Sequence, residues 1–144
     1  SHRFQVTLAE EVEYLQRYLD IQKVRFGERL RVSVDIPPDL LDAQVPNLLL
    51  QPLVENAIKH GIAKRVVGGN VRVTGARRDG SVYLSVYNDG PSFPQDWQTQ
   101  GVGVGLANLR TRLRILHGNA SELRMTRAGA DGVEVIVTLP LKEA

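Results

Sequence analysis

The sequence predicts an α/β two-layer sandwich, with helices packed on one face of a mixed, largely antiparallel sheet. Three observations carry that prediction. Leu8, Val12, Leu15 and Leu19 recur at helical spacing, as do Leu106, Leu109, Leu113 and Leu116. Leu30 to Ile36 and Val82 to Tyr87 alternate apolar with polar residues, the period of strands that are wet on one side. Asp79-Gly80 stands between Val73 and the second of those runs, where it makes a two-residue hairpin turn.

Each element follows from local chemistry. Thr7 and Glu10 have capping-box spacing, so the first helix begins there and runs until Gly27 stops it. Pro37-Pro38 ends the strand that starts at Leu30. Pro52 fits in the first turn of a second helix, because deeper inside it would remove a hydrogen bond and clash, at a cost of roughly 3 kcal/mol. That helix is expected to run to His60 and to be closed by Gly61. The hairpin strands follow, and the second delivers Asn88-Asp89-Gly90. Pro91 to Gly105 is rich in Pro, Gly, Ser, Gln and Thr without periodicity, and reads as a mobile lid. The third helix ends at Gly118, and strands around Leu123 to Met125 and Val133 to Leu139 complete the chain.

Composition removes several function classes. At 144 residues, with 42% hydrophobic and 24% charged, the chain is sized for a single core. A net charge of +2 is too small for a nucleic-acid footprint, and 6% aromatics supply no stacking platform, so no nucleic-acid partner is expected. Without cysteine there is neither a disulfide framework nor a thiolate metal site. No apolar run approaches the roughly 20 residues that cross a bilayer.

The second helix separates its faces cleanly: Leu53, Val54, Ala57 and Ile58 fall on one side, Glu55, Asn56, Lys59 and His60 on the other. Asn56 offers a neutral oxygen suited to Mg²⁺, which keeps several waters and takes further ligands from phosphate oxygens. Lys59 can meet a phosphate as a point charge, or can simply pair with Glu55 at i−4. His60 and His117 each precede a glycine, where either can do no more than complement a helix C-terminus. Gly101, Gly103 and Gly105 open the third helix, where backbone can approach a ligand and N–H groups favour phosphate, unless the glycines only make a flexible loop. A dinucleotide fingerprint is excluded, because that motif needs a strand immediately before its glycines. The Asn88-Asp89-Gly90 segment can present an oxygen to an adenine amino group or make an ordinary turn. Arg110, Arg112 and Arg114 mostly fit the solvated side of the third helix.

Taken together, Val54-Glu-Asn56-Ala-Ile-Lys59-His60-Gly61, Asn88-Asp-Gly90 and Gly101-x-Gly103-x-Gly105-Leu106-x-Asn108 resemble the ATP-binding domain of sensor histidine kinases. Leu19-Asp-Ile21, Arg25-Phe26 and Leu50-Gln51-Pro52-Leu53 are similar to the LytS-like branch of that family, so the resemblance covers nearly the whole chain. It implies the Bergerat α/β sandwich shared with gyrase and MutL, with ATP and Mg²⁺ as ligands. Residues 1–29 would be an N-terminal helix leading from a dimerisation and phosphoacceptor region, and residues 30–144 the catalytic domain. Asn56 would hold Mg²⁺, and Lys59 and His60 would face the phosphates or ribose. Backbone at Gly101, Gly103, Gly105 and Leu106 would wrap the triphosphate with help from Asn108. Thr138 would lie near the adenine.

Two departures accompany the resemblance. The family usually reads Asp-x-Gly-x-Gly at the adenine turn, whereas this chain aligns as Asn88-Asp89-Gly90-Pro91-Ser92; an amide replaces the carboxylate, so modest ATP affinity is expected unless Asp89 substitutes. The second is an omission: neither His60 nor His117 sits in the motif that surrounds the family's phosphoacceptor, so the chain reads as a fragment whose acceptor histidine lies upstream. ATPase relatives carry a glutamate one turn before the metal-binding asparagine, and Pro52 stands there instead. The resemblance therefore implies a kinase rather than a free-standing ATPase. The parent would be a membrane-anchored homodimer with this domain in the cytoplasm and a response regulator receiver domain as partner. A nucleotide-binding regulatory module without transfer activity, and an interaction domain working through the arginine-rich helix, are the rival readings.

Overall fold

The computed structural model describes residues 4–90, 104–129 and 131–142. The first helix, α1 (Leu8–Phe26), follows a short strand β1 (Gln5–Thr7) and starts at the expected capping box. Thr7 Oγ1 accepts from the Glu10 N–H at 3.2 Å, and Glu10 Oε1 accepts from the Thr7 N–H at 3.0 Å. Strand β2 (Leu30–Asp35) comes next. A second short strand, β3 (Gln44–Pro46), pairs antiparallel with β1; three residues apiece carry too little alternation to be seen in the sequence. Helix α2 (Leu50–Ala57) precedes the hairpin β4 (Gly69–Arg78) and β5 (Ser81–Asp89). Its turn holds Asp79 at φ 49° and Gly80 at φ 80°, both left-handed as a two-residue hairpin requires. Helix α3 (Val104–His117) and strands β6 (Glu122–Arg127) and β7 (Gly132–Pro140) follow.

The main sheet has the order β2-β4-β5-β7-β6, parallel between β2 and β4 and antiparallel elsewhere. Val82, Leu84 and Val86 of β5 and Val135, Val137 and Leu139 of β7 are buried beneath the helices, in one core with Leu15, Leu19, Leu53, Leu106 and Leu113. Tyr83, Ser85 and Tyr87 lie half-buried on the opposite face, as the alternation predicts. Burying each such leucine contributes about 1.5–3 kcal/mol. Leu116 departs from its expected place, facing solvent at the end of α3. Among the described residues no helix is long and apolar enough to cross a membrane.

Helix α2 has no capping side chain of its own at Leu49. Glu11, 2% exposed on α1, supplies one: Oε1 accepts from the N–H groups of Leu49 (2.8 Å) and Leu50 (3.1 Å), and Oε2 from that of Leu48 (2.9 Å). A carboxylate there meets both the unsatisfied donors and the positive end of the helix. From α3, Arg112 donates to the carbonyls of Asn47 and Leu48, so the loop before α2 is held from two sides. Arg110 likewise reaches back to the Leu123 carbonyl at 3.4 Å. Two of the three arginines expected on a solvated face are therefore half-buried tertiary contacts.

Gly61 does not close α2. The chain winds on through a π turn, Ile58–Ile62, in which the Ala63 N–H donates to the Ile58 carbonyl at 2.8 Å. Gly61 is needed for proximity instead, because a Cβ there would lie 2.4 Å from Asn88 Nδ2 and 2.6 Å from the Asp89 carbonyl oxygen. The wider turn presents this residue to the end of β5, and backbone cannot step aside to admit a methyl group. Gly61→Ala is expected to lower unfolding stability by about 1–3 kcal/mol, typical of overpacking. Urea melts check this, and an unchanged midpoint would contradict the contact.

Candidate functional site

The faces of α2 fall as the wheel predicts: Leu53, Val54, Ala57 and Ile58 are buried, Glu55 and Lys59 exposed, Asn56 and His60 half-buried. Pro52, Asn56 and His60 follow one another at i, i+4 and i+8 along this face. Two other elements meet it. At Pro52 the start of α3 arrives, close enough that a Cβ on Gly105 would lie 3.9 Å from Pro52 Cβ. Beyond His60, Gly90 at the end of β5 is set against the π turn, where its own Cβ would lie 3.1 Å from Gly61 Cα. Gly90 is fixed there by donating its N–H to the Asp131 carbonyl at 3.1 Å. Asn56 thus stands between the N-terminus of one helix and the end of one strand.

The α3 end brings Gly105, which is exposed, Leu106, which is 2% exposed and anchors the turn in the core, and Asn108, which is exposed. First-turn N–H groups of a helix have no intrahelical acceptor, and about half a positive charge accumulates there, so an anion beside Gly105 is favoured. Gly101 and Gly103 lie outside the described residues.

At the β5 end, alternation sends Asn88 and Asp89 to opposite faces. Asn88 is 4% exposed on the helix side, and its Nδ2 donates to the Asp89 carbonyl at 2.8 Å. That bond fixes the amide's orientation and leaves Oδ1 as its accepting atom. Asp89 turns to the outer face, where Oδ2 accepts from Asn70 N–H (2.7 Å) and Asn70 Nδ2 (2.8 Å), and Oδ1 from the Tyr87 hydroxyl (2.7 Å). Burial works to raise its pKa, but the Tyr87 and Asn70 hydrogen bonds, helped by the charge of Arg65, outweigh it and hold the carboxyl below its ordinary value. Hydrogen bonding to Asp89, then burial, raises the Tyr87 phenol in return, while the Arg72 guanidinium sits 4.0 Å over its ring. Asp89 braces the strand end rather than facing the α2 side.

Thr138 is not brought to this cluster. It pairs with Tyr83, far along β5 from Asn88, and shares the outer face of the sheet. Val133 is the β7 residue opposite Asn88, buried on the helix side. A strand read without its register does not say which residue lies opposite Asn88. Asn70 and Glu11 are not legible in the sequence because each acts through a partner distant in the chain, and Tyr87 because its pairing with Asp89 two residues on looks like ordinary strand alternation. For Glu11 the only signal was a buried position on α1 that an acidic residue occupies.

The donor set accommodates a metal that travels with a ligand. Among the described residues no three carboxylates, imidazoles or thiolates gather to hold an ion unaided. A single amide oxygen at Asn56, next to a helix N-terminus, suits Mg²⁺ that draws its other ligands from phosphate and water. The exposed Lys59 ammonium, one turn on, adds positive charge to the same face.

Comparison with known proteins shows which family the chain resembles. Residues 42–143 match the profile of the family described as histidine kinase-, DNA gyrase B-, and HSP90-like ATPase, and residues 1–30 match a histidine kinase family. Sensor histidine kinase YesM of Bacillus subtilis is 32% identical over 95% of this chain and 24% of its own length. Sensor protein LytS of Oceanobacillus iheyensis is 31% identical over 83% of this chain and 23% of its own length. The chain thus spans about a quarter of the length of these curated relatives. The solved catalytic domain of histidine kinase ThkA superimposes with a TM-score of 0.73, at 20% identity, over 94% of this chain and 93% of that one, which shows the shared fold. With the family profile matching residues 42–143 and LytS 31% identical over 83% of the chain, the chain belongs to the histidine kinase-, DNA gyrase B- and HSP90-like ATPase family, in its LytS-like sensor-kinase branch.

Proposed function

We propose that this chain is the ATP-binding catalytic domain of a two-component sensor histidine kinase and presents Mg-ATP to a histidine carried on an upstream helix of its parent. The observation that carries this reading is the meeting of the α3 N-terminus and the β5 end on the Asn56 face of α2. Asn56 would hold Mg²⁺, and the Gly105 and Leu106 N–H groups would receive phosphate oxygens, with Lys59, His60 and Asn108 alongside. Bound Mg²⁺ supplies charge neutralisation along the phosphates. Asn88 Oδ1 would accept from the adenine amino group, and Gly90 would leave room for the ring. Thr138, opposite Tyr83 on the outer face of the sheet, lies outside this set.

An acceptor imidazole is its own nucleophile, so the domain needs to orient the γ-phosphoryl group rather than to deprotonate water. Pro52, in the place where ATPase relatives carry a glutamate, is consistent with that division of labour. The parent is proposed to be a membrane-anchored homodimer, with this domain in the cytoplasm, that passes the phosphoryl group to an aspartate of a response regulator receiver domain. The amide at Asn88 also supports a second reading, a regulatory nucleotide-binding module; γ-labelled ATP with the upstream segment supplied separates the two by whether label reaches histidine.

Calorimetry with Mg²⁺ and a non-hydrolysable ATP analogue is expected to show Asn56→Ala binding about tenfold more weakly, or about 1.4 kcal/mol, while affinity in EDTA is nearly unchanged. Equal losses with and without metal would remove Asn56 as its ligand. At the strand end, Asn88→Ala should cost about 1 kcal/mol of nucleotide affinity, the net worth of a neutral hydrogen bond, and Asp89→Asn should leave affinity close to wild type. Asp89→Asn should act on stability instead. Because the Asp89 pKa is depressed in the folded chain, its contribution is complete above the ordinary carboxylate pKa near 4 and is lost as pH falls through the lower folded value. The stability gap between wild type and Asp89→Asn should therefore be widest at neutral pH and narrow in acid, and a gap constant with pH would contradict the bracing role.

A further inference from the structure

The helix that carries Asn56 is held at both ends by one neighbour. Glu11, in the first turn of α1, binds the N–H groups of Leu48, Leu49 and Leu50 at the start of α2. Arg29, in the single 3₁₀ turn Gly27–Arg29 that follows α1, reaches the other end: its Nη2 donates to the carbonyls of Ile62 at 3.4 Å, the last residue of the π turn, and of Arg65 at 2.8 Å just beyond it. An anion meets the N-terminus and a cation the C-terminus, so both charges oppose the helix dipole. Neither anchor is a loose surface contact. Glu11 is 2% exposed, and Arg29 is drawn in far enough that its Nε is buried without a hydrogen-bond partner. The Arg29 backbone is also seated against Gly68, where a Cβ would lie 2.0 Å from the Arg29 carbonyl oxygen.

We propose that Glu11 and Arg29 are positioning residues, a two-point clamp through which α1 sets the pose of α2 and thereby the affinity for Mg-ATP. The inference rests on the Mg-ATP reading of Asn56. Both clamp residues lie in the segment that matches the histidine kinase family, whereas the clamped helix lies in the ATPase match. A shift of α1 along its axis moves both anchor points of α2 together, with Asn56 between them, against a β5 end whose strand is held between β4 and β7.

The test compares wild type, Glu11→Gln, Arg29→Met and Arg29→Lys by calorimetry with the ATP analogue, in Mg²⁺ and in EDTA, after circular dichroism confirms folding. Glu11→Gln and Arg29→Met should bind the Mg²⁺ form at least threefold more weakly and the metal-free form within twofold of wild type, with Arg29→Lys partly restored. Coupling is reciprocal, so in the wild type Mg-ATP should slow hydrogen exchange at the Leu49 and Leu50 amides more than at Val135 in the sheet. Folded variants with wild-type Mg-ATP affinity, or Leu49 and Leu50 amides indifferent to Mg-ATP, would overturn the clamp. Should the variants fail to fold, the exchange measurement on the wild type decides. A wild type that binds no Mg-ATP at all instead refutes the nucleotide reading, and the clamp falls with it.

Discussion

The site depends on how closely one helix can approach the end of one strand. At Gly61 that approach is limited by the Asn88 side chain and the Asp89 carbonyl, both nearer to the missing Cβ than any real side chain tolerates. Gly90 completes the contact from the other side. Because Gly61 and Gly90 carry no side chains, the end of α2 and the end of β5 can pack backbone to backbone, with the Asn88 amide beside them. The π turn follows from the same need: winding wide for one turn brings Gly61 onto β5 without disturbing the apolar face formed by Leu53, Val54 and Ala57.

Around that contact, charge is used for placement. Glu11 and Arg29 fix the ends of the helix unit, Arg112 ties α3 to the loop that starts α2, and Asp89 is held by Asn70 and Tyr87. The α2 face itself carries the neutral amide of Asn56 with His60, and the exposed Lys59 and Glu55 beside them, Glu55 accepting from Gln51. A neutral amide at Asn88 in place of a carboxylate continues the pattern, since its orientation is set by the Asp89 backbone rather than by a counter-charge. The site is therefore assembled from dipoles and backbone on a braced scaffold, a form suited to a polyanion that brings its own metal.

Much of this was legible in the sequence wherever the signal is local. Periodicity located α1, α2, α3, the hairpin and the last two strands, and Thr7 with Glu10 marked the start of α1. The α2 wheel separated Asn56, Lys59 and His60 from the buried residues. What it missed is non-local. Gly61 looks like a helix stop unless the strand against it is known, and Thr138 looks close to Asn88 unless the register of β7 on β5 is known. An arginine at helical spacing away from the leucines reads as solvated, yet Arg112 crosses to the carbonyls of Asn47 and Leu48. Glu11 reads as one more acidic residue near a helix start, because the donors it serves lie far along the chain.

A crystal structure with Mg²⁺ and a non-hydrolysable ATP analogue bound tests the central claim most directly. The metal should sit about 2.0–2.1 Å from Asn56 Oδ1, with phosphate oxygens on the Gly105 and Leu106 N–H groups and the adenine amino group on Asn88 Oδ1. A nucleotide bound away from the α2 face, or a metal coordinated without Asn56, would contradict it.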